Sequence, residues 1–114
     1  MGVKHDPVFG PIAVFGPGGI FAELMDDSVL RRCPFSEAEA RDMIESTRLA
    51  AILKGARGRA PGDIDAAAKL LSNLSRFAAA ADHRLLSVDL NPVVILEQGK
   101  GALALDALLE VRPD

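Results

Sequence analysis

Tryptophan and tyrosine are absent, and phenylalanine supplies only five residues, so the chain offers little aromatic surface on which unpaired bases could stack. A basic surplus is also missing. Thirteen Lys and Arg stand against 16 Asp and Glu, a formal net charge of −3, which cannot neutralise a phosphate backbone and sets nucleic acid aside as a partner. One cysteine, Cys33, excludes an internal disulfide and any thiolate-rich zinc site, and fits a reducing, cytoplasmic compartment. No apolar run approaches the roughly 18–20 residues needed to cross a bilayer. Lys4, His5 and Asp6 lead into a Pro/Gly-rich stretch rather than the apolar region of a signal peptide. What is present is 114 residues, 49% hydrophobic and 25% charged. That composition predicts one globular domain over 1–114 with one core.

Residues 1–10 read as a loop or strand edge, because Asp6-Pro7 and Gly10-Pro11 punctuate the segment. Ile12 to Phe15 is a short apolar run and predicts a buried strand. The loop Gly16-Pro17-Gly18-Gly19 follows, then extended patterns over Ile20–Leu24 and Ser28–Cys33 separated by Asp26-Asp27. Ser36-Glu37-Ala38-Glu39 has the form of a capping box, and Ala40, Met43, Ile44, Thr47 and Ala51 continue at helical spacing toward a Gly55 cap. A second helix starts near Asp63, with Ile64, Ala67, Ala68, Leu71, Leu74 and Ala78 on one stripe. Leu86, Val88 and Leu90 then alternate with Ser87, Asp89 and Asn91, and Gln98-Gly99-Lys100-Gly101 signals a hairpin returning through Ala102–Ala107. The order predicts an α/β (α+β) layer: a largely antiparallel mixed sheet with two main helices packed on it.

Alternation places Asp89 and Asn91 on one strand face. A hairpin turning through Gly99-Lys100 sets Val93 opposite Asp106, which makes Asp106 diagonal to Asn91, roughly 7–8 Å away. Three oxygen-bearing side chains then converge, as Mg²⁺ requires when water and phosphate complete its shell. The competing reading is a turn at Asn91-Pro92, a solvated Asp89 and a strand-end cap at Asp106. The glycines of the 16–19 loop permit close approach of backbone amides to a phosphate, but they equally suit a tight turn. Glu23 could touch a phosphate-bound metal or point outward. Arg57 and Arg59 could hold an anion or lie in a solvated loop. His5 and His83 sit at element edges and read as surface residues, and Cys33 reads as core rather than catalytic.

His5-Asp6-Pro7-Val8-Phe9-Gly10-Pro11, Phe15-Gly16-Pro17-Gly18-Gly19-Ile20-Phe21-Ala22-Glu23 and Cys33-Pro34-Phe35-Ser36-Glu37-Ala38-Glu39-Ala40 resemble consecutive blocks of the ADP-forming (NDP-forming) acyl-CoA synthetases. Gly55–Arg59, Asp63–Ala66, Asp89-Leu90-Asn91-Pro92-Val93 and Ala104–Ala107 extend the likeness over nearly the whole chain. The resemblance implies the C-terminal half of an ATP-grasp domain, related to the succinyl-CoA synthetase beta subunit. It implies that Asp89, Asn91 and Asp106 hold the Mg²⁺ of ATP or ADP. It also turns Gly16, Gly18, Gly19 and Glu23 toward the phosphate-transfer region. The implied partners are the remaining ATP-grasp half and the CoA-binding and phosphohistidine domains, on the same or a partner chain, without which this chain is expected to be inactive. A homo-oligomer is compatible with the apolar face that the other half would cover. Two departures stand out: Ser87 where the family often has an acid, and His5 where it commonly has Arg. Two other readings stay open, a regulatory acyl-CoA or nucleotide module of a protein lysine acetyltransferase and a non-catalytic remnant.

Overall fold

The computed structural model describes residues 1–17, 27–55, 58 and 60–113. In chain order the elements are β1 (Gly2–Asp6), β2 (Gly10–Phe15), β3 (Val29–Arg32), α1 (Glu37–Glu45), α2 (Leu49–Leu53), α3 (Ile64–Ala81), β4 (Leu85–Leu90), β5 (Val93–Ile95), β6 (Ala102–Ala104) and β7 (Ala107–Val111). Among the described residues a five-stranded sheet runs β3-β2-β1-β4-β7, and β5 and β6 form a separate two-stranded ribbon. All of these pairings are antiparallel.

The N-terminal segment departs from expectation. It forms β1, a central strand between β2 and β4. Asp6-Pro7 makes the turn of a hairpin instead of ending the structure: the Asp6 carboxylate accepts the Val8 and Phe9 amides at 2.8 and 2.9 Å, and Gly10 takes φ 75°. Those two amides, Phe9 first, hold the Asp6 carboxyl below the usual carboxylate range.

One face of the sheet carries the core. Val3, Ala13, Phe15 and Val88 cluster with Met43 and Ile44 of α1 and with Leu71 of α3. The stripe read along 64–78 is buried at every position, and its alanines allow the helix to lie close to β1 and β2. The cross-strand row Leu30–Val14–Gly2–Asp89–Leu108 belongs to the opposite face.

The helix starting at the capping box is divided. Ser36 Oγ accepts the Glu39 amide at 3.1 Å, as expected, while Glu39 Oε1 accepts from the Ser36 hydroxyl at 3.3 Å. The helix stops at Glu45 because Ser46 and Thr47 turn their hydroxyls back onto the Met43 and Ile44 carbonyls, at 2.6 and 2.7 Å. Asp27 then receives the Arg48 and Leu49 amides, at 2.6 and 3.0 Å, and so opens α2.

Candidate functional site

Asp89 lies near the end of β4, flanked by Gly2 of β1 and Leu108 of β7. The sequence continues through Asn91-Pro92 into β5. Pro92 has no N–H, so the regular ladder is interrupted there. The alignment on the two sides is nevertheless the same. Leu90 pairs with Ala107 and Val93 with Ala104. Between them the Asn91 amide donates to the Asp106 carbonyl at 3.2 Å, and the Leu105 amide to the Pro92 carbonyl at 3.0 Å. Asn91 therefore stands directly across from Asp106, and Asp89 is the diagonal neighbour.

This corrects the register read from the hairpin. Val93 lies opposite Ala104, not Asp106. The alternation itself also breaks at Asn91-Pro92, since Leu90 and Val93 both pack against the core. The face of Asp106 follows from its place two residues before Leu108, the partner of Asp89, and not from the hairpin count. The cause of the shift in register is the position of the turn, which centres on Gln98-Gly99, one residue earlier than Gly99-Lys100: the Lys100 amide reaches the Glu97 carbonyl at 2.8 Å and the Leu96 amide reaches the Gly101 carbonyl at 2.9 Å. Gly99 and Gly101 have φ 86° and 97°, values that favour glycine.

A residue that the strand pattern gives no hint of holds this turn in place. Asp63, the N-cap of α3, accepts the Ala66 amide on Oδ1 at 3.1 Å and the Gly99 and Gly101 amides on Oδ2 at 3.1 and 2.9 Å. Donation from Ala66, then Gly101 and Gly99, keeps its carboxyl below the usual range. The Asp63 amide donates to the Leu96 carbonyl at 2.8 Å, and the Gln98 amide to the Pro61 carbonyl at 2.9 Å. The signal for Asp63 as a helix cap was in the sequence; its second set of partners lies 36 and 38 residues away.

Asp89 is half-buried, while Asn91 and Asp106 are exposed. Asp106 Oδ1 accepts the Ala107 amide at 2.9 Å, which leaves its second oxygen outside that bond. Burial holds the Met1 ammonium below its ordinary pKa, and the Asp89 carboxylate opposes that shift. Among the described residues no group of three or more His, Cys, Asp or Glu side chains is placed to hold a metal ion. The donor set on this face is thus two carboxylates and one carboxamide: hard oxygens, too few to fill an octahedral shell without water or phosphate.

Gly16 and Asn91 line the same cavity, of about 210 Å³, with Phe15, Leu90 and Pro92 among its walls. The start of the glycine loop therefore lies beside the Asn91-Pro92 junction. Gly18, Gly19 and Glu23, the expected strand over 20–24, Asp26, and Arg57 and Arg59 lie outside the described residues. His5 is not a surface residue: its side chain is 16% exposed, with Nε2 3.7 Å from Asp82 Oδ1. His83 is exposed. Cys33 packs against the core, and burial pushes its thiol up to about 11 despite a hydrogen bond from the Ala13 backbone. It has the character of a packing residue, not a nucleophile.

A family model described as an ATP-grasp domain matches residues 1–111. The chain belongs to the ATP-grasp family. Among its relatives, the beta subunit of acetate–CoA ligase [ADP-forming] II from Pyrococcus furiosus is 40% identical over 94% of this chain and 45% of its own length. Acetate–CoA ligase [ADP-forming] I from Archaeoglobus fulgidus is 42% identical over 87% of this chain and 14% of its own length. The ATP-grasp chain thus spans less than half of these relatives. A solved structure from Ca. Korarchaeum cryptofilum, a dinucleotide forming acetyl-coenzyme A synthetase 1 in complex with coenzyme A and Mg-AMPPCP, superposes with TM-score 0.85 at 36% identity, over 97% of this chain and 51% of that one. The resemblance read from the sequence is to this family, and the α+β layer with a largely antiparallel sheet is its fold.

Proposed function

We propose that residues 1–114 form the C-terminal ATP-grasp subdomain of an ADP-forming acyl-CoA synthetase. The reaction would be acyl-CoA, ADP and phosphate to carboxylic acid, ATP and CoA, reversibly, through a phosphohistidine on another domain. The observation that carries the reading is the register of the β4–β7 ribbon, which sets Asn91 opposite Asp106 with Asp89 on the same face. It is supported by the relatives' ligase activities and by the Mg-nucleotide analogue in the solved relative.

The donor chemistry fits Mg²⁺. Asp89, Asn91 and Asp106 would hold the ion, which when bound neutralises nucleotide phosphate charge. The chain's own part is positional. The half-buried Asp89 is fixed by two neighbouring strands, and the Asn91-Pro92 junction sets the carboxamide across from Asp106. Gly16, with Gly18, Gly19 and Glu23 in the loop that continues from it, would border the phosphate-transfer region. The complementary ATP-grasp half and the CoA-binding and phosphohistidine domains would come from the same or a partner chain. A cytoplasmic location suits the single reduced thiol.

The test is Asp106→Ala in the synthetase assembled from this chain and its complement. Loss of nucleotide turnover by at least about a thousandfold is expected, with circular dichroism unchanged, because removing a charged ligand from a phosphoryl-transfer site forfeits electrostatic stabilisation of the transition state. An unchanged rate would refute the ligand assignment. An assembled protein that binds no Mg-nucleotide would instead favour a non-catalytic remnant.

A further inference from the structure

The Asp63 carboxylate makes more bonds than a helix start requires. A cap needs one side-chain oxygen on one amide of the first turn, and Ser, Thr or Asn supplies it as Asp does. Oδ1 of Asp63 meets that need through the Ala66 amide. Oδ2 takes the Gly99 and Gly101 amides as well. Serving both sides takes two accepting oxygens, whereas Asn has one and would aim its NH2 group at amide donors.

Those two glycines belong to the turn of the ribbon that leads into Asp106. β5 and β6 pair over three residues, apart from the five-stranded sheet, and two strands by themselves are marginal without support. At the junction with the sheet Pro92 has no N–H to give, and the strands are joined there by the bonds from the Asn91 amide to the Asp106 carbonyl and from the Leu105 amide to the Pro92 carbonyl. Val93, Ile95 and Ala102 lie against the core, but apolar contact fixes the buried face and not the advance along the strand. Directional bonds to residues 61–63 fix that advance. Gly62 bridges Glu97, the Asp63 amide donates to the Leu96 carbonyl, the Gln98 amide donates to the Pro61 carbonyl, and the Asp63 carboxylate holds the turn.

We propose that Asp63 is a positioning residue for the metal ion: by clamping the turn from the start of α3, it holds the ribbon side of Asp106 and so keeps that carboxylate across from the Asn91 carboxamide. The role rests on Asp89, Asn91 and Asp106 as the Mg²⁺ ligands, and Asp63 acts through Asp106 without being a ligand itself.

Asp63→Ser separates the two duties, because its hydroxyl still caps α3 and is too short to reach the turn. Ser75→Ala, which removes a buried bond to Phe35, is the control for lost stability alone. In the synthetase assembled from this chain and its complement, Mn²⁺-ADP binding is followed by electron paramagnetic resonance. It should weaken by about 10–100-fold in Asp63→Ser, as when a group that orients a metal ligand is lost, and by less than about twofold in Ser75→Ala. In the Asp106→Ala background Asp63→Ser should add no further loss, since the two residues act as one unit. Hydrogen exchange on the chain alone gives a readout without metal. The Asn91 and Leu105 amides should lose protection relative to the α3 amides in Asp63→Ser and not in Ser75→Ala. Binding by Asp63→Ser equal to that of wild type or of Ser75→Ala, a full further loss in the Asp106→Ala background, or unchanged protection at Asn91 and Leu105 would overturn the role of Asp63 alone. Undiminished Mn²⁺-ADP binding by Asp106→Ala would overturn the ligand assignment, and this role with it.

Discussion

A single carboxylate, Asp63, joins a helix start to a turn more than thirty residues away, through three backbone amides. Its folded-state pKa lies below the unfolded value of about 3.9. Its contribution is therefore present above the unfolded pKa and is lost as pH falls through the folded one. Asp63→Asn should lower the melting temperature at pH 6 by roughly 5 °C. The gap to wild type should narrow as pH drops from about 4 toward 2, since the native carboxylate is being protonated over that range. A gap constant from pH 6 to pH 2 would show that the charge of Asp63 contributes nothing. Cys33 supports a separate prediction. With its thiol pushed up to about 11, alkylation at pH 8 should be slower in the folded chain than in guanidinium by on the order of a hundredfold, timed by mass spectrometry.

At the scale of elements, α3 was legible because its apolar stripe is local and repeats every 3.6 residues. The split of the preceding helix was not, since the sequence pattern runs through Ser46 and Thr47 without a break. The break arises where two hydroxyls bond backward and a distant carboxylate, Asp27, caps the next turn. Likewise β1 reads as a loop or strand edge because proline follows Asp6, and only pairing on both sides makes it a central strand. The packing of α3 brings a further check. Ser75 Oγ accepts the buried Phe35 amide at 3.1 Å, and Ser72 Oγ donates to the Phe35 carbonyl at 2.8 Å. Ser75→Ala leaves that amide without its acceptor and should cost about 1–3 kcal/mol in urea unfolding. Leu71→Ala, in a fully buried position, should cost about 2–5 kcal/mol.

For the molecule as a whole, the chain supplies one wall of the proposed nucleotide site and spans under half of its relatives. Isolated, it should bind Mg-ADP weakly or not at all by isothermal titration calorimetry, since half a clamp forfeits most contacts to the ligand. Addition of the complementary half should raise the affinity, and tight binding by the isolated chain would contradict the division of the site.

Alternation within a strand is a property of the backbone, so the sequence by itself put Asp89 and Asn91 on one face and assigned the α3 stripe to the core. It could not fix how far the returning strand advances. That depends on which two residues the turn centres on; it centres on Gln98-Gly99, one residue earlier than Gly99-Lys100, where the Asp63 carboxylate holds the Gly99 and Gly101 amides. The tertiary structure decided that Asn91 stands across from Asp106, because the hydrogen bonds that align the two strands join residues far apart in the chain, whose spacing no local pattern records.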